Sequence, residues 1–501
     1  MKRAAISIRR SIRLAPATTT RILPPGGEPR ESNRLLEQHL AETAAFYDGM
    51  PASQPNWFRR KYLRCLAHYY RNWIPANASI CEIGCGDGSL LALLPNNDIS
   101  GIDISEKQVA RAREVVPRGK FWHGAGETFQ FDRTFDFIVV SETINSAADV
   151  QRIFENIREC ARRDTRLVLN FYNTLWKPLL NFAASLGLKA PQPESNWLSR
   201  TDVKNLLQLA DWEVVRTETR ILIPAPLFGL DKLVNRFLAP LLSSFGLTTF
   251  MICRPTFHVT ERLKTVTILI PARNEEGNIE AAVERIGRFA GKGEVIFVEG
   301  HSSDGTWAEI LRVQAKYPRL NIRAFQQTGR GKGNAVREGF AQAYGDILMI
   351  LDADLTMPPE ELEKFYEVLT SGKGDFVNGV RLVYPMEGKA MQFCNIVANK
   401  LFSYAFSWLL GQPVKDTLCG TKVLHRSDYQ KIERHRNFFG DFDPFGDFDL
   451  LFGASKQHLK IVDVPIRYRD RQYGSTNISR WRHGLLLLRM VLFAARKVKF
   501  V

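Results

Sequence analysis

The chain has 501 residues, 45% hydrophobic, 24% charged and 11% aromatic. These are proportions of ordinary globular domains, and they exclude wholesale disorder, a collagen-like repeat and a polytopic membrane protein. The 68 Lys and Arg outnumber the 53 Asp and Glu, and residues 467–501 alone hold nine bases against one acid. That local excess points to an anionic partner: phosphate, nucleic acid or an acidic membrane surface.

Taken in chain order, residues 1–45 are expected to be a disordered basic tail; six bases precede the first acid, Glu28, a composition that also suits a transit peptide. From Trp57 to Ile74, aromatic, Leu and basic residues fall at helical spacing. Strand-like SICEIG, GIDI, FDFIVVS and TRLVLNFY then alternate with helical SLLALL, EKQVARAREVV and VQRIFENIRECARR. Such alternation implies βαβ units and a parallel sheet. A further helix and strand follow Pro191, TTFMIC closes the first alternation, and a second begins at TVTILIPARNEE. The expected organisation is a domain over 46–255, a linker over 256–264 and a second domain over 265–501. Seven cysteines without framework spacing read as reduced thiols, and no His or Cys cluster joins Cys81 and Cys85 into a zinc site.

The first chemical signal is Glu82-Ile83-Gly84-Cys85-Gly86-Asp87-Gly88, which ends a strand and opens a helix. Glycines allow a sharp turn and close approach of a ligand, and the helix start offers unpaired N–H groups. Asp103, ending the next strand, can accept both hydroxyls of a ribose. With these motifs in order, residues 46–255 resemble the class I S-adenosylmethionine-dependent methyltransferases, with a Rossmann-like fold. The resemblance implies that Glu82, Gly84 and Gly86 line the amino-acid end of S-adenosylmethionine and that Asp103 holds its ribose. Ala125 stands where the family often has an acid that meets adenine. His123 is a candidate base, although a lone histidine is more often structural. The competing reading is a nucleoside-binding fold that is catalytically silent.

The second signal is a set of polar strand ends: Pro271 to Glu276, Glu299 to Thr306, and Asp352-Ala353-Asp354. Two carboxylates at i and i+2 suit Mg²⁺ or Mn²⁺, which require hard oxygen ligands. This half resembles family 2 glycosyltransferases of the GT-A fold, and most of all the dolichyl- and polyprenyl-phosphate sugar transferases. The resemblance implies a nucleotide-sugar donor, with Pro271, Arg273, Glu275 and Glu299 around the nucleotide. Lys332 would lie in a glycine/lysine loop over the donor, with Asp352 and Asp354 at the metal. Gly300 stands where the family has a further acid. Arg381, Arg471 and Ser475 would face donor or acceptor phosphate. Asp447 and Asp449 lie where these enzymes carry an acidic helix start that can act as base. Such a base is needed for a hydroxyl acceptor but not for an ionised lipid phosphate.

Two stretches, Asn395–Gly411 and Trp481–Val501, mix apolar, aromatic and basic residues. They suit helices lying in an anionic interface, or core helices with snorkelling bases. The longest uncharged run, 237–253, is shorter than the ~20 apolar residues a bilayer span needs, so a short helix and a strand are expected there. No nucleic-acid module is recognised. The expectation is a fused, cytoplasmic two-domain α/β enzyme, peripheral at the inner face of a membrane.

Overall fold

The computed structural model describes residues 31–49, 57–185, 196, 198–224, 227–257, 264–286, 293–381, 393–436, 446–469, 471, 473 and 488–501. Two seven-stranded sheets follow one another along the chain. The first holds β1 (Ile80–Ile83), β2 (Ile99–Asp103), β3 (Lys120–His123), β4 (Phe135–Ser141), β5 (Ala161–Tyr172), β6 (Trp212–Arg220) and β7 (Thr248–Pro255), in the order β3-β2-β1-β4-β5-β7-β6. Its first five strands are parallel, and β7 runs antiparallel between β5 and β6. The order reverses at β1, so a crevice opens beyond the carboxyl ends of β1 and β4, where open α/β sheets bind ligands. The Glu82–Gly88 turn sits there.

The second sheet holds β8 (Val266–Ala272), β9 (Gly293–Glu299), β10 (Ile322–Gln326), β11 (Ile347–Ile350), β12 (Phe376–Val380), β13 (Lys422–His425) and β14 (Ile461–Pro465). Its order is β10-β9-β8-β11-β13-β12-β14, with β13 antiparallel to both neighbours. Strands β8 and β11 are parallel neighbours, so their polar ends meet at one rim. Both sheets are coated on each face by a hydrophobic cluster, which explains why central strands such as β1, β8 and β11 read as apolar runs.

The structure corrects the assignment of residues 31–45 to a disordered tail. Glu31–Asp48 is a helix, built from helix formers with no interior Gly or Pro. It docks on the first domain through Asp48, which accepts the Ser105 hydroxyl at 2.6 Å, and through the Tyr47 hydroxyl, 3.3 Å from that of Ser146. Residues 1–30 lie outside the described residues.

A polar seam joins the domains. Asp375, just before β12, is buried and accepts Arg166 of β5 and Arg254 of β7, each at 3.0 Å. Arg163 meets Asp428 at 2.8 Å, and the His458 ring donates across the seam to the Trp73 carbonyl at 2.9 Å. The basic C-terminal segment also enters the seam. Residues 488–499 are helical, with Met490, Ala494 and Ala495 in the core, and Lys499 is buried as an ion-pair partner of Glu218. That base is therefore not part of a solvent patch.

Candidate active sites

In the first domain, Gly84, Gly86 and Gly88 all take positive φ (71°, 52° and 73°). A Cβ on Gly84 would strike Thr143, whereas one on Gly86 would meet nothing within 4 Å. The turn is thus closed against the protein at Gly84 and open to a ligand at Gly86. Asp103 is buried beside it and accepts the backbone N–H groups of Gly86 (2.7 Å) and Ser105 (2.9 Å). Burial pushes its pKa up, against those hydrogen bonds. Glu82 is raised further, by burial and then by Asp103, Asp87 and Glu142, all carboxylates.

Glu82 Oε2 and Glu142 Oε1 are buried and accept no hydrogen bond. A crevice of carboxylates with orphaned oxygens calls for a cationic ligand. S-adenosylmethionine carries a sulfonium and an ammonium, so the residues present fit it.

Sequence reasoning missed two contributors here. Glu142 directly follows β4 in a left-handed conformation (φ 62°), and the Glu31–Asp48 helix brings Tyr47 close enough for Asp103 and Glu142 to raise its pKa, after burial. Its place immediately after the FDFIVVS strand is a local signal for Glu142; no local pattern carried one for Tyr47. His123 is exposed and held by the Ile104 carbonyl at 3.0 Å. Glu127 is not a substitute for the acid absent at Ala125, because its carboxylate accepts the N–H groups of Ala148 and Asp149.

In the second domain, the three polar strand ends each pass through a non-glycine residue at positive φ: Asn274, His301 and Leu355. Such strain clusters at functional sites. Pro271 is the penultimate residue of β8, Arg273 is exposed beyond the strand, and Glu275 is buried. Glu299 accepts Ser302 N (2.5 Å) and Gln326 (2.8 Å). Burial would raise its pKa, but these hydrogen bonds hold it below the usual value.

Asp352 Oδ1 lies 2.5 Å from Lys332 Nζ, at the start of the helix Lys332–Gln342. Asp354 Oδ2 lies 2.6 Å from Arg471, whose other nitrogen reaches Glu275 at 3.2 Å. Arg471 therefore straps the end of β8 to the end of β11. Burial pushes Glu275 up to about 7, with Arg471 opposing it.

The loop Asp416–Lys422 backs this pocket, and a Cβ on Gly420 would collide with both Asp352 and Lys332. Arg381 is held by Asp416 through two side-chain hydrogen bonds, at 2.7 and 2.9 Å. Asp447 lies 4.0 Å from the buried Lys422, and its Oδ1 accepts no hydrogen bond. Burial raises its pKa against Lys332 and Lys422. The two candidate bases thus separate: Asp447 faces the pocket, while Asp449 pairs with Arg436 at 2.9 Å in the packing of neighbouring helices. Ser475 lies outside the described residues.

Asp352 and Asp354 offer hard oxygens already counter-charged by cations, so the pair fits a divalent ion completed by ligand oxygens. A cavity of about 390 Å³, lined by Glu218, Arg220, Pro240, Ser243, Trp408 and Lys499 among others, opens between the domains and borders neither site.

A Rossmann-like domain with a carboxylate crevice, followed by a GT-A domain with paired acids and bases at its strand ends, defines a two-domain transferase. Residues 56–217 match the family described as a methyltransferase domain, and residues 267–433 match glycosyl transferase family 2. The dolichol-phosphate mannosyltransferase of Pyrococcus furiosus is 28% identical over 42% of this chain, which spans 59% of that relative's length. The glycosyltransferase AglJ of Haloferax volcanii is 30% identical over 44% of this chain and 68% of its own length. An undecaprenyl-phosphate 4-deoxy-4-formamido-L-arabinose transferase of Pectobacterium carotovorum is 39% identical over 43% of this chain and 63% of its own length. A solved methyltransferase structure from Thermotoga maritima aligns with 44% of this chain and 98% of its own, at 16% identity and a TM-score of 0.31. The chain belongs to glycosyltransferase family 2 through its C-terminal domain and carries a methyltransferase domain before it.

Proposed function

We propose that the C-terminal domain transfers a sugar, with inversion, from a nucleotide-sugar donor to a polyprenyl phosphate at an anionic membrane surface. The N-terminal domain transfers methyl from S-adenosylmethionine to an acceptor that is not identified. The observation that carries the reading is Arg471, brought across 117 positions of sequence onto Asp354. With Lys332 on Asp352, it sets two bases and two acids where a donor diphosphate would lie.

Asp352 and Asp354 would hold Mg²⁺ or Mn²⁺, which neutralises diphosphate charge when bound. Lys332 and Arg471 are placed to stabilise the leaving diphosphate by charge-assisted hydrogen bonds. The acceptor oxygen forms its bond to the anomeric carbon as the bond to the diphosphate breaks, on opposite faces. A lipid phosphate is already ionised and needs no base. The names of the dolichol- and undecaprenyl-phosphate relatives support this acceptor class. The free thiols at Cys65, Cys81, Cys85, Cys160, Cys253 and Cys419 suit work on the cytoplasmic side of the membrane. No helix among the described residues is long and apolar enough to cross a membrane.

In the methyltransferase domain, Asp103 would hold the ribose hydroxyls, with Glu82 and Glu142 about the cationic end of the cofactor. S-adenosylmethionine supplies the electrophilic methyl, and positioning does most of the rest.

A second reading rests on Asp447, whose Oδ1 accepts no hydrogen bond and whose raised pKa suits a base for a hydroxyl acceptor. The test is a panel of radiolabelled nucleotide sugars offered to a polyprenyl phosphate and to soluble glycans, with wild-type and Asp447→Asn protein. Transfer to the lipid that survives Asp447→Asn supports the first reading. Transfer only to hydroxyls, lost by roughly 10²–10⁴-fold in Asp447→Asn, establishes the second.

A further inference from the structure

Strands β6 and β7 pair antiparallel with Arg220 opposite Thr248. A short hairpin turn would join them, yet the chain spends residues 221–247 on an excursion. Part of it is helical, from Leu230 through Leu238. Nine of its leucines and phenylalanines are exposed, among them Phe228, Leu233, Phe237, Leu241 and Phe245. That concentration is unlike the single exposed apolar residues of an ordinary surface.

The excursion does not stand alone. The Trp176 indole donates to the Phe245 carbonyl (2.8 Å), beside exposed Leu175, Leu179 and Phe182. The Trp408 indole reaches the Pro240 carbonyl (3.3 Å) from the helix Phe393–Leu410, where Leu401 and Tyr404 are exposed. Arg236 donates to the Phe500 carbonyl (2.9 Å), and the Phe237 and Phe500 rings are 5.7 Å apart, bringing in the C-terminal helix with exposed Leu488 and Leu492. Four segments from both domains are thereby stitched together.

Their charge is one-sided. Lys232 and Arg236 on the excursion, Lys400 on the long helix, and Arg489, Arg496 and Lys497 at the C-terminus are exposed. Across 174–182, 227–245, 400–411 and 488–501 the only acid is Asp231, which is buried and paired with Lys61 at 2.8 Å. Within these segments the exposed apolar side chains are accompanied by exposed bases and no exposed acid, which matches the chemistry of an anionic bilayer, with acyl chains for the apolar groups and headgroup phosphates for the bases.

We infer that the methyltransferase domain, through its β6–β7 excursion, docks the fused enzyme on anionic membranes, in one face shared with the glycosyltransferase domain. The inference goes beyond the lipid-acceptor reading, because it assigns the first domain an anchoring role independent of methyl transfer.

The experiment is co-sedimentation of the full chain with phosphatidylcholine vesicles, with and without phosphatidylglycerol, at low and high salt. No donor, acceptor or S-adenosylmethionine is present, so the result is separate from sugar transfer. Wild type is expected to bind only the anionic vesicles, and less at high salt. Leu241→Glu/Phe245→Glu should weaken binding by roughly tenfold or more while leaving the melting temperature unchanged. Should that variant fail to fold, Lys232→Glu/Arg236→Glu must show the same loss. Absence of wild-type binding at low salt overturns the inference, as does wild-type binding by a folded variant. So does sedimentation equilibrium showing a dimer that Leu241→Glu/Phe245→Glu dissolves, because a second copy would then cover the face. Vesicle binding without transfer to polyprenyl phosphate would overturn the proposed acceptor and leave the anchoring role standing.

Discussion

Asp375→Asn tests how firmly the two domains are coupled. The native carboxylate is 2% exposed and accepts Arg166, Arg254 and the Lys460 backbone N–H (3.1 Å). Asparagine keeps the shape and removes the charge. Arg254 would retain Glu213 at 2.7 Å, and Arg163 would retain Asp428. Arg166, 4% exposed in its side chain, has no other ion-pair partner at the seam among the described residues. Removing one partner of a buried pair costs about 3–5 kcal/mol, and with only one arginine orphaned the lower end applies, about 3 kcal/mol or on the order of 100-fold in the folding equilibrium. Burial would raise the Asp375 pKa, but Arg166, Arg254 and Arg163 hold it below the ordinary value. Its contribution is therefore complete above the unfolded carboxylate pKa of about 4 and is lost as pH falls through the lower folded value. Urea unfolding of both proteins at neutral pH and toward pH 3 reads this directly. The gap should be full at neutral pH and shrink on acidification. A neutral-pH difference below about 0.5 kcal/mol, within the range of an ordinary surface change, would refute the reasoning.

Asp352→Asn and Asp354→Asn should each abolish sugar transfer and leave S-adenosylmethionine affinity unchanged; full transferase activity in both would end the metal assignment. Asp103→Ala should weaken S-adenosylmethionine at least tenfold by calorimetry, since charged hydrogen bonds contribute roughly 1.5–3 kcal/mol; an unchanged dissociation constant would mean the ribose is held elsewhere. Glu275, pushed up to about 7 by burial, keeps its proton in the folded state at pH values where the unfolded chain has lost it. Its contribution to stability should fall as pH rises from about 4.5 to 7. In Glu275→Gln that slope should vanish from urea midpoints at pH 5 and 8, and an identical slope would count against the buried carboxyl.

What the sequence by itself determined is local. The Glu82–Gly88 turn, Asp103 and the Asp352–Asp354 pair are legible because strand ends, glycine turns and i, i+2 spacings are set by neighbours in the chain. The two α/β alternations are legible for the same reason, since apolar runs of strand length report burial on both faces. Only the tertiary structure separated Asp447 from Asp449: one helical start carries both, and the partners that distinguish them, Lys422 and Arg436, come from other elements. It also decided that Arg471 reaches Asp354 and Glu275, that the Glu31–Asp48 helix walls the crevice at Asp103, and that Lys499 turns inward to Glu218. Each is a charge or ring meeting a partner far along the chain. Composition reports that such a group exists, but its partner is chosen by which elements pack, and a buried charge is stable only where that packing supplies the opposite one.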